Sequence, residues 1–396
     1  MTATSEDDRT PASEAGVARV CVVGSGWRFT SGISYYTCHL AGALAERATV
    51  SAILMRRMIP KMLYPGRARV GKRLAALEYD ERVAVFDGVD WFWIPSIIGA
   101  VRHIRRTRPT LVVLQWWTGT VVHSYFALAL AARSVGARVI VEFHEVQDTG
   151  EARVPLVSSY TRRALRGVLR RAEAFLVHSE HDREHLGRAY NLSGRPVEVV
   201  PHGPFSHHRA ERTPGEEGVC RLLFFGTIRP YKGLEYLVEA FNALSAEEAS
   251  GYRLAVVGET WEGWTRPLDL IEASPHRNRI TVVNRYVSDE DVTEHFARAD
   301  VVVLPYLRSS ASGPLHIAMS NGLPVVVTAV GGLVEAVADY DGAILVEPGD
   351  PPGLTEALRK ARARAGDVYV ERHTWQRNVD AILAFAPTPA PTEARP

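Results

Sequence analysis

The segment RLLFFGTIRPYKG, residues 221–233, is the part of this chain that decides its fold. The apolar run Leu222–Phe225 predicts a buried strand that stops at Gly226, and a helical pattern follows the next turn. That turn carries two cations, Arg229 and Lys232. A phosphate there would meet the free N–H groups of the helix, a guanidinium fork and an ammonium charge. The segment therefore predicts either an anion site or an ordinary basic turn.

The length of the chain indicates two domains, and its net charge indicates that the protein has no strong overall electrostatic field. The chain has 396 residues, whereas one domain usually contains roughly 100–200. Its net charge of +1 excludes charge-driven binding to nucleic acid and leaves at most peripheral contact with a membrane.

The cysteines and the hydropathy pattern predict a cytoplasmic location. Three widely spaced cysteines without a CxxC pair are typical of reduced thiols, not of a disulfide framework or a zinc site. The first 16 residues are polar and acidic, unlike a signal peptide. No apolar run approaches the roughly 18–20 residues that a membrane helix needs.

Strand and helix patterns alternate between two tails, residues 1–16 and 387–396, which are predicted to be disordered. The predicted strands of the first half are Ala18–Val23, Val50–Met55, Leu111–Leu114, Arg138–Phe143, Phe175–Val177 and Val197–Val200. Those of the second half are Leu222–Phe225, Arg253–Val257, Ile280–Val283, Val301–Leu304 and Pro324–Val327. A linker rich in Pro, Gly and His, residues 202–218, separates the halves. The pattern predicts an α/β protein with two Rossmann-like, doubly wound domains that face each other across a ligand cleft.

The first predicted strand ends in a glycine loop, GSGWRFTSGIS, which contains Gly24, Gly26 and Gly32. The loop departs from the dinucleotide pattern G-x-G-x-x-G, because Phe29 stands at the third position and the loop is too long. Its glycines instead favour close approach of the backbone to a phosphate or a sugar.

Polar and aromatic residues at strand ends form a second candidate site. The segment VEFHEVQD brings His144 and Glu145 to the end of a strand. They suit a hydroxylated substrate or acid–base chemistry, but such residues also occur in ordinary polar loops. Trp116 and Trp117 end another strand of the same half. Exposed, they would stack on a sugar ring; buried, they belong to the core.

Three further features have both a functional and a structural interpretation. His181 to His185 matches the H-x-x-E-H zinc pattern without a third ligand, and five arginines between residues 162 and 171 suit solvent or a membrane surface. Ser312 and Gly313 precede a predicted helix, whose free N–H groups suit a phosphate oxygen. Glu335 lies in the first turn of another helix, where its charge favours the dipole.

The order of these segments resembles the GT-B glycosyltransferases, specifically the large retaining family 4. The resemblance spans residues 18–385 and is carried by SGISYYTCHLAGAL, VHSEHDREHL, VPHG, LLFFGTIRPYKGLEYLVEAF, RYVSDEDVTEHFARADVVVLPY, GLPVVVTAVGGLVEAV and HTWQRNVDAIL. It implies a GT-B fold with an acceptor-side domain at 17–205 and a domain for the nucleotide-sugar donor at 206–369. Residues 370–386 would cross back to the first domain.

The resemblance also implies roles for individual residues. Arg229 and Lys232 would hold the donor diphosphate, and His144 would contact the donor sugar. The loop around Tyr286 and Val287 would receive the nucleobase. The other donor-binding candidates are Gly26, Gly32, Gly226, Ser312, Gly313, Pro314 and Leu315. The acceptor-binding candidates are Trp116, Trp117 and Glu145.

One pair of positions departs from the family pattern. Most members carry two glutamates eight residues apart before an AM-x-x-G segment, whereas this chain has Ser309 and Ile317. The second glutamate normally grips the ribose, so the departure bears on ribose recognition. The segment SGPLH resembles a Ser-Gly variant that some members have.

The predicted function is transfer of a hexosyl group from a nucleotide diphosphate sugar to an acceptor hydroxyl, with retention and without a metal or another cofactor. UDP is favoured over GDP. The acceptor is expected to be small and polar or lipid-linked: a specialised metabolite, such as an aminocyclitol antibiotic precursor, or a cell-envelope precursor. Two alternatives remain open: a non-catalytic homologue that binds nucleotide sugars or activates a partner, and a nucleotide-sugar epimerase.

Overall fold

Two parallel sheets organise the structure. The computed structural model describes residues 17–27, 32–57, 77–90, 93–146, 155–261 and 263–387. The two predicted tails lie outside these ranges, apart from residue 387. None of the helices in the described ranges is both long and apolar enough to cross a membrane.

The first sheet contains seven described strands in the order β3-β2-β1-β4-β5-β6-β7, all paired in parallel. The strands are β1 Arg19–Ser25, β2 Thr49–Arg57, β3 Val83–Asp90, β4 Leu111–Trp116, β5 Arg138–Phe143, β6 Ala174–Val177 and β7 Val197–Val199. The helices of this half are α1 Gly32–Ala45, α2 Ile94–Thr107, α3 Val122–Ser134, α4 Pro155–Leu169 and α5 Glu180–Ala189. The strand order reverses between β1 and β4, which opens a crevice at their carboxyl ends.

The second sheet repeats this design with six described strands in the order β10-β9-β8-β11-β12-β13. The strands are β8 Cys220–Phe225, β9 Tyr252–Val257, β10 Ile280–Val283, β11 Val301–Leu304, β12 Val325–Thr328 and β13 Ala343–Val346. The helices are α6 Leu234–Asn242, α7 Ala246–Ser250, α8 Arg266–Glu272, α9 Asp289–Arg298, α10 Gly313–Ser320, α11 Gly332–Ala336, α12 Pro351–Arg362 and α13 Trp375–Leu383. The prediction of two doubly wound α/β domains is confirmed.

Alternate residues of β1 face two different cores. Val20 and Val22 pack in one apolar cluster with α1, whereas Cys21 and Val23 pack in another with α2 and α3. Because neighbouring side chains of a strand point to opposite faces, a strand covered on both sides is apolar throughout. This explains the continuous apolar runs that predicted the strands. The three cysteines are buried and unpaired.

The last described helix, α13, packs against α1 of the first half. Asn378 donates one hydrogen bond to the hydroxyl of Tyr36 at 2.9 Å and one to the carbonyl of Pro201 at 3.2 Å. Trp375 donates its indole N–H to the carbonyl of Pro204 at 3.1 Å. A Cβ at Gly203 would lie 2.4 Å from that indole, so the glycine permits the close contact.

Two strands were not predicted from the sequence. In β3 the apolar alternation is broken by Asp87 and Gly88, and Gly88 has a φ of 132° where the pairing with β2 becomes irregular. Strand β13 has four residues and lies at the edge of its sheet, with Leu345 48% exposed. Both strands therefore lack the long apolar pattern that identifies a central strand.

Candidate active site

The basic turn after β8 is fixed by close backbone packing. Gly226 continues the strand direction with a φ of 129°, and Ile228 forms a bridge with Thr260. Residues Pro230–Lys232 form one turn of 3₁₀ helix that ends at Gly233, whose φ is 63°. A Cβ at Gly233 would lie 2.0 Å from the carbonyl oxygen of Pro305, so only glycine fits there.

Aromatic rings surround the two cations of this turn. The ammonium of Lys232 lies 3.6 Å from the ring centre of Tyr306, and the guanidinium of Arg229 lies 5.0 Å from Tyr231 and 5.6 Å from Trp261. Burial lowers the pKa of Lys232, and the neighbouring Tyr231 partly offsets this effect. A cation that has lost its water gains more from an anion than an exposed one does.

Two cavities lie beside the turn. The first, which we call the Tyr286 cavity, has a volume of about 260 Å³. It contains six of the predicted donor-binding residues: Gly32, Gly226, Tyr286, Val287, Gly313 and Pro314. Rings from both halves and the linker complete its wall: Tyr35, Phe205, His207, His208 and Trp261.

Two glycines bring the halves of the chain together at the Tyr286 cavity. A Cβ at Gly32 would lie 3.9 Å from the Cα of Gly313, so the two backbones face each other closely across the cleft. The hydroxyl of Tyr35 also donates a hydrogen bond to Asp289 at the start of α9. The cavity is therefore built by both halves.

The second cavity, which we call the Lys232 cavity, has a volume of about 360 Å³. Its polar wall consists of Glu145, His181, His185, Tyr231, Lys232, Arg308, Ser309 and Ser310. Glu145 interacts electrostatically with Lys232, which brings an acceptor candidate of the first half close to a donor candidate of the second. The two cavities together are lined by eight of the fifteen predicted site residues.

A buried histidine pair determines what His144 can do. Nε2 of His178 lies 3.0 Å from Nδ1 of His144, and Nδ1 of His178 lies 3.0 Å from the carbonyl of Val200. A carbonyl only accepts, so Nδ1 of His178 carries a proton, and the proton between the two rings lies on either Nε2 of His178 or Nδ1 of His144. Burial and the neighbouring His178 hold the pKa of His144 well below its ordinary value.

His144 is therefore neutral. Its Nε2 is buried, has no hydrogen-bond partner among the described residues, and lies 3.8 Å from Oε2 of Glu142. His144 lines neither of the two cavities, and its contact with a donor sugar stays a prediction.

A buried carboxylate lies on the Nε2 side of this histidine. Glu142 is fully buried and accepts from the hydroxyl of Tyr36 and, at 3.0 Å, from the amide of Gln115. Burial raises the pKa of Glu142, while His178 and these two donors act in the opposite direction. A Cβ at Gly24 would lie 2.1 Å from the Gln115 side chain, so Gly24 makes room for the network. Sequence reasoning missed this network because its members come from separate elements.

The first turn of α10 corrects one prediction. Ser312 caps the helix by accepting from the N–H of Leu315 at 3.3 Å, and Pro314 has no N–H. Leu315 is also fully buried, so neither its side chain nor its N–H is presented to a ligand. Within the described residues, the N–H of Gly313 is what this turn offers to an anion.

Trp116 is a second correction. Its side chain is 2% exposed and packs in the core near Tyr125 and Phe143, because α3 covers this face of β4. The buried interpretation is the right one, and Trp116 cannot stack on a sugar. Trp117 is partly exposed at the end of the same strand and stays a prediction.

Two other predicted residues have structural contacts of their own. A Cβ at Gly26 would lie 2.8 Å from the side chain of Leu54, so this glycine is required by packing, and its donor contact stays a prediction. Glu335 lies in the first turn of its own helix, as predicted, and its carboxylate also contacts the other half. It accepts from the N–H groups of Glu180 at 2.7 Å and His181 at 3.1 Å, at the start of α5 in the other half.

The positions that depart from the family pattern lie in different cavities. Ser309 lines the Lys232 cavity, and Ile317 lines the Tyr286 cavity. The zinc pattern stays incomplete: His181 and His185 have ring centres 6.4 Å apart, and no third ligand joins them among the described residues.

Sequence comparisons cover most of the chain. Residues 31–203 match the family described as glycosyl transferase 4-like domain, and residues 220–363 match glycosyl transferases group 1. The D-inositol 3-phosphate glycosyltransferase of Geodermatophilus obscurus is 30% identical over 238 residues, which cover 55% of this chain and 53% of that protein. The chain thus matches about half the length of this relative. The 2-deoxystreptamine glucosyltransferase of Streptomyces kanamyceticus is 24% identical over 310 residues, which cover 73% of this chain and 78% of that protein.

Solved structures share the fold. Sucrose-phosphate synthase from Thermosynechococcus elongatus has a TM-score of 0.65 at 16% identity, over 93% of this chain and 95% of that one. Anabaena HepE, solved with UDP and glucose, has a TM-score of 0.59 at 15% identity, over 92% of this chain and 95% of that one.

Proposed function

Since the chain belongs to the group 1 glycosyltransferases, family 4 of the GT-B fold, we propose that it transfers a hexosyl group from a nucleoside diphosphate sugar to an acceptor hydroxyl with retention of configuration. One observation carries the proposal. The basic turn with Arg229 and Lys232 stands between the Tyr286 cavity and the Lys232 cavity. A donor would place its base in the first, its diphosphate at the turn and its sugar in the second, near His144.

The two cations act mainly on the transition state. As the bond from the anomeric carbon to the phosphate oxygen breaks, negative charge grows on the leaving diphosphate. The bond from the acceptor oxygen forms on the same face, and the departing phosphate oxygen takes the acceptor proton. Glu145 is less suited to act as a base, because it already interacts with Lys232 and a base on the opposite face would invert the configuration.

We propose UDP as the nucleotide. HepE holds UDP in a similar fold. Transfer is expected to need no metal, because the cations of the turn can neutralise the diphosphate.

We propose a small polyhydroxylated acceptor, and we place the reaction in the cytoplasm. The acceptors in the names of two relatives, inositol phosphate and 2-deoxystreptamine, are both hydroxylated six-membered carbocycles. A specialised metabolite or a cell-envelope precursor of this kind would meet Glu145 and the exposed part of Trp117.

The test is calorimetric titration with UDP, GDP, ADP and their hexose conjugates, without metal and then with magnesium, followed by a donor hydrolysis assay. We expect micromolar binding of a UDP compound and slow hydrolysis without any partner protein. Arg229→Ala should lower turnover about 100-fold to 1000-fold. Arg253→Ala, an exposed arginine at the start of β9, is the matched control.

Three outcomes would contradict the proposal. Turnover of Arg229→Ala near that of the wild type would remove the diphosphate assignment. Donor binding without hydrolysis or transfer would favour the non-catalytic homologue, which the Ser309 and Ile317 positions already suggest. Conversion of the donor sugar without an acceptor would indicate an epimerase.

A further inference from the structure

We propose that His316, Glu371 and His373 form a binding site for a divalent metal ion, Zn²⁺ above all, at the junction of the two domains. One ring nitrogen of each histidine and one carboxylate oxygen of Glu371 lie within 4.8 Å of one another. His316 belongs to α10, and the other two belong to the connector before α13. Imidazole nitrogen and carboxylate oxygen are ligands that Zn²⁺ prefers in proteins.

The cluster contains polar atoms that the protein leaves without partners. His316 is 1% exposed, and its Nδ1 has no hydrogen-bond partner among the described residues. The Oε2 atom of Glu371 is likewise buried and without one. Unsatisfied buried groups of this kind destabilise the folded state. A bound cation would satisfy both.

Neighbouring contacts hold the ligands in place. Nδ1 of His373 lies 2.7 Å from Oε1 of Glu371, and the same oxygen accepts the backbone N–H of His373 at 2.9 Å. Without a metal, these hydrogen bonds keep the ring and the carboxylate side by side. In the tautomer with its proton on Nε2, His373 presents Nδ1 on the side of Glu371, so that a metal there meets both ligands. His316 is held by stacking on His202, with ring centres 4.3 Å apart.

The site has room for an ion and a water molecule. A cavity of about 140 Å³ lies against His316 and His373 and is also lined by His178, His202 and Glu335. A water molecule needs only roughly 10–15 Å³. Zinc bonds of about 2.0–2.2 Å place tetrahedral ligands about 3.4 Å apart, so the three donors must draw together by roughly 1 Å.

A metal ion here would connect helix α10, which contributes to the Tyr286 cavity, with the connector that leads to helix α13. The first turn of α10 lines the Tyr286 cavity through Gly313, Pro314 and Ile317. The connector leads to α13, which packs on α1 of the other half. The expected effect is a stiffer junction, separate from the transfer reaction, so the proposal does not rest on the proposed function.

The test is titration of the chelator-treated full chain with Zn²⁺ by calorimetry and with Co²⁺ by visible absorption. We expect one bound equivalent in the wild type and at least tenfold weaker binding in Glu371→Gln and His373→Ala. Zn²⁺ should raise the Tm of the wild type and not that of these variants, because a ligand that binds only the folded state stabilises it. Glu371→Gln keeps the size of the side chain, and far-UV circular dichroism checks that both variants fold.

His185→Ala and His144→Ala are the controls, and both should bind like the wild type. His185 belongs to the H-x-x-E-H pattern, and His144 belongs to another group of possible ligands, Glu142, His144 and His178. Absence of binding to the wild type would overturn the proposal, as would equal affinity in the wild type and Glu371→Gln. Loss of binding in a control alone would overturn it too, because the metal would then sit elsewhere.

Discussion

The Tyr286 cavity and the Lys232 cavity flank the same basic turn, but their charges are used differently. In the first, Asp289 accepts from Tyr35, and Arg285 lies 3.1 Å from Asp291. In the second, Lys232 lies against aromatic rings, and Glu145 acts on it electrostatically without a hydrogen-bonded ion pair among the described residues. Charges that are paired with one another mainly define the shape of a cavity wall. A cation that is packed against aromatic rings can still bind an anion. The first cavity therefore suits selection of a ligand by shape, and the second suits stabilisation of developing charge.

Replacement of Lys232 should have the largest effect. In Lys232→Met the side chain keeps most of its length but loses its charge, so the leaving diphosphate loses one of its stabilising groups. Turnover should fall about 100-fold to 1000-fold, while UDP binding through the Tyr286 cavity should change far less. Steady-state kinetics and calorimetry measure the two effects separately. Lys360→Met, on the surface of α12, is the control. If the turnover of Lys232→Met stays within threefold of that of the wild type, the Lys232 cavity does not stabilise the developing charge.

The buried histidines beside the Tyr286 cavity should make the protein sensitive to acid. His207 stacks on Tyr35 with ring centres 4.2 Å apart, and its Nδ1 lies 2.8 Å from Nε2 of His39. Burial and the nearby His208 lower the pKa of His39 to about 4, and the pKa of His207 is lowered further. Since these folded-state values lie below the unfolded value near 6.5, the unfolded state binds more protons in acid.

Stability should thus be complete above about pH 6.5 and be lost as the pH falls from about 6.5 towards 4. Each histidine contributes a loss of up to about 1.4 kcal/mol per pH unit in this window. Thermal unfolding between pH 7.5 and 5 measures the slope. His39→Gln should reduce the slope, and His181→Ala, on the exposed side of α5, should keep it. A slope unchanged in His39→Gln would show that these rings do not control the acid response.

Substitution of Ile317 can introduce a charged side chain into the Tyr286 cavity. It is 7% exposed and lines the Tyr286 cavity. In Ile317→Glu, the new carboxylate would accept hydrogen bonds from ribose hydroxyls. A charged hydrogen bond contributes about 1.5–3 kcal/mol, and desolvation of the carboxylate offsets part of this. UDP should therefore bind about tenfold more tightly. Ile317→Gln has the same length without the charge and should gain less. Equal affinity of the two variants would place the ribose elsewhere.

The strands of the cleft could be predicted from the sequence, but the direction of individual side chains could not. Leu222–Phe225 predicted β8 correctly, because a strand buried on both faces is continuously apolar. In β4 all six residues are buried, so the same continuous apolar pattern does not indicate to which face of the sheet each side chain points. The burial of Trp116 follows from its cover by α3, which a short segment of sequence does not contain.

Networks that join distant elements were the other part that sequence reasoning missed. Glu142, Tyr36 and Asn378 come from β5, α1 and α13 and meet only after folding. The sequence signal for His144 was its place at the end of a strand, and a single His in that place fits many roles. The tautomer of His144 depends on His178 and Val200, which lie far along the chain.

The smallest expected effect concerns a contact that closes the cleft beside the Lys232 cavity. Glu335 of α11 accepts two N–H groups at the start of α5, so one domain caps a helix of the other. Loss of a helix cap is destabilising by about 0.5–2 kcal/mol, which for Glu335→Ala corresponds to a Tm lower by about 2–4 °C per kcal/mol. Glu335→Gln should lose less, because its amide oxygen still accepts, and Glu356→Ala on α12 is the surface control. If Glu335→Ala unfolds at the wild-type temperature but has a higher KM for the donor, the cap holds the cleft closed without stabilising the fold. The difference in charge between the two cavities would then depend on closure of the two domains as well as on the residues that line each cavity.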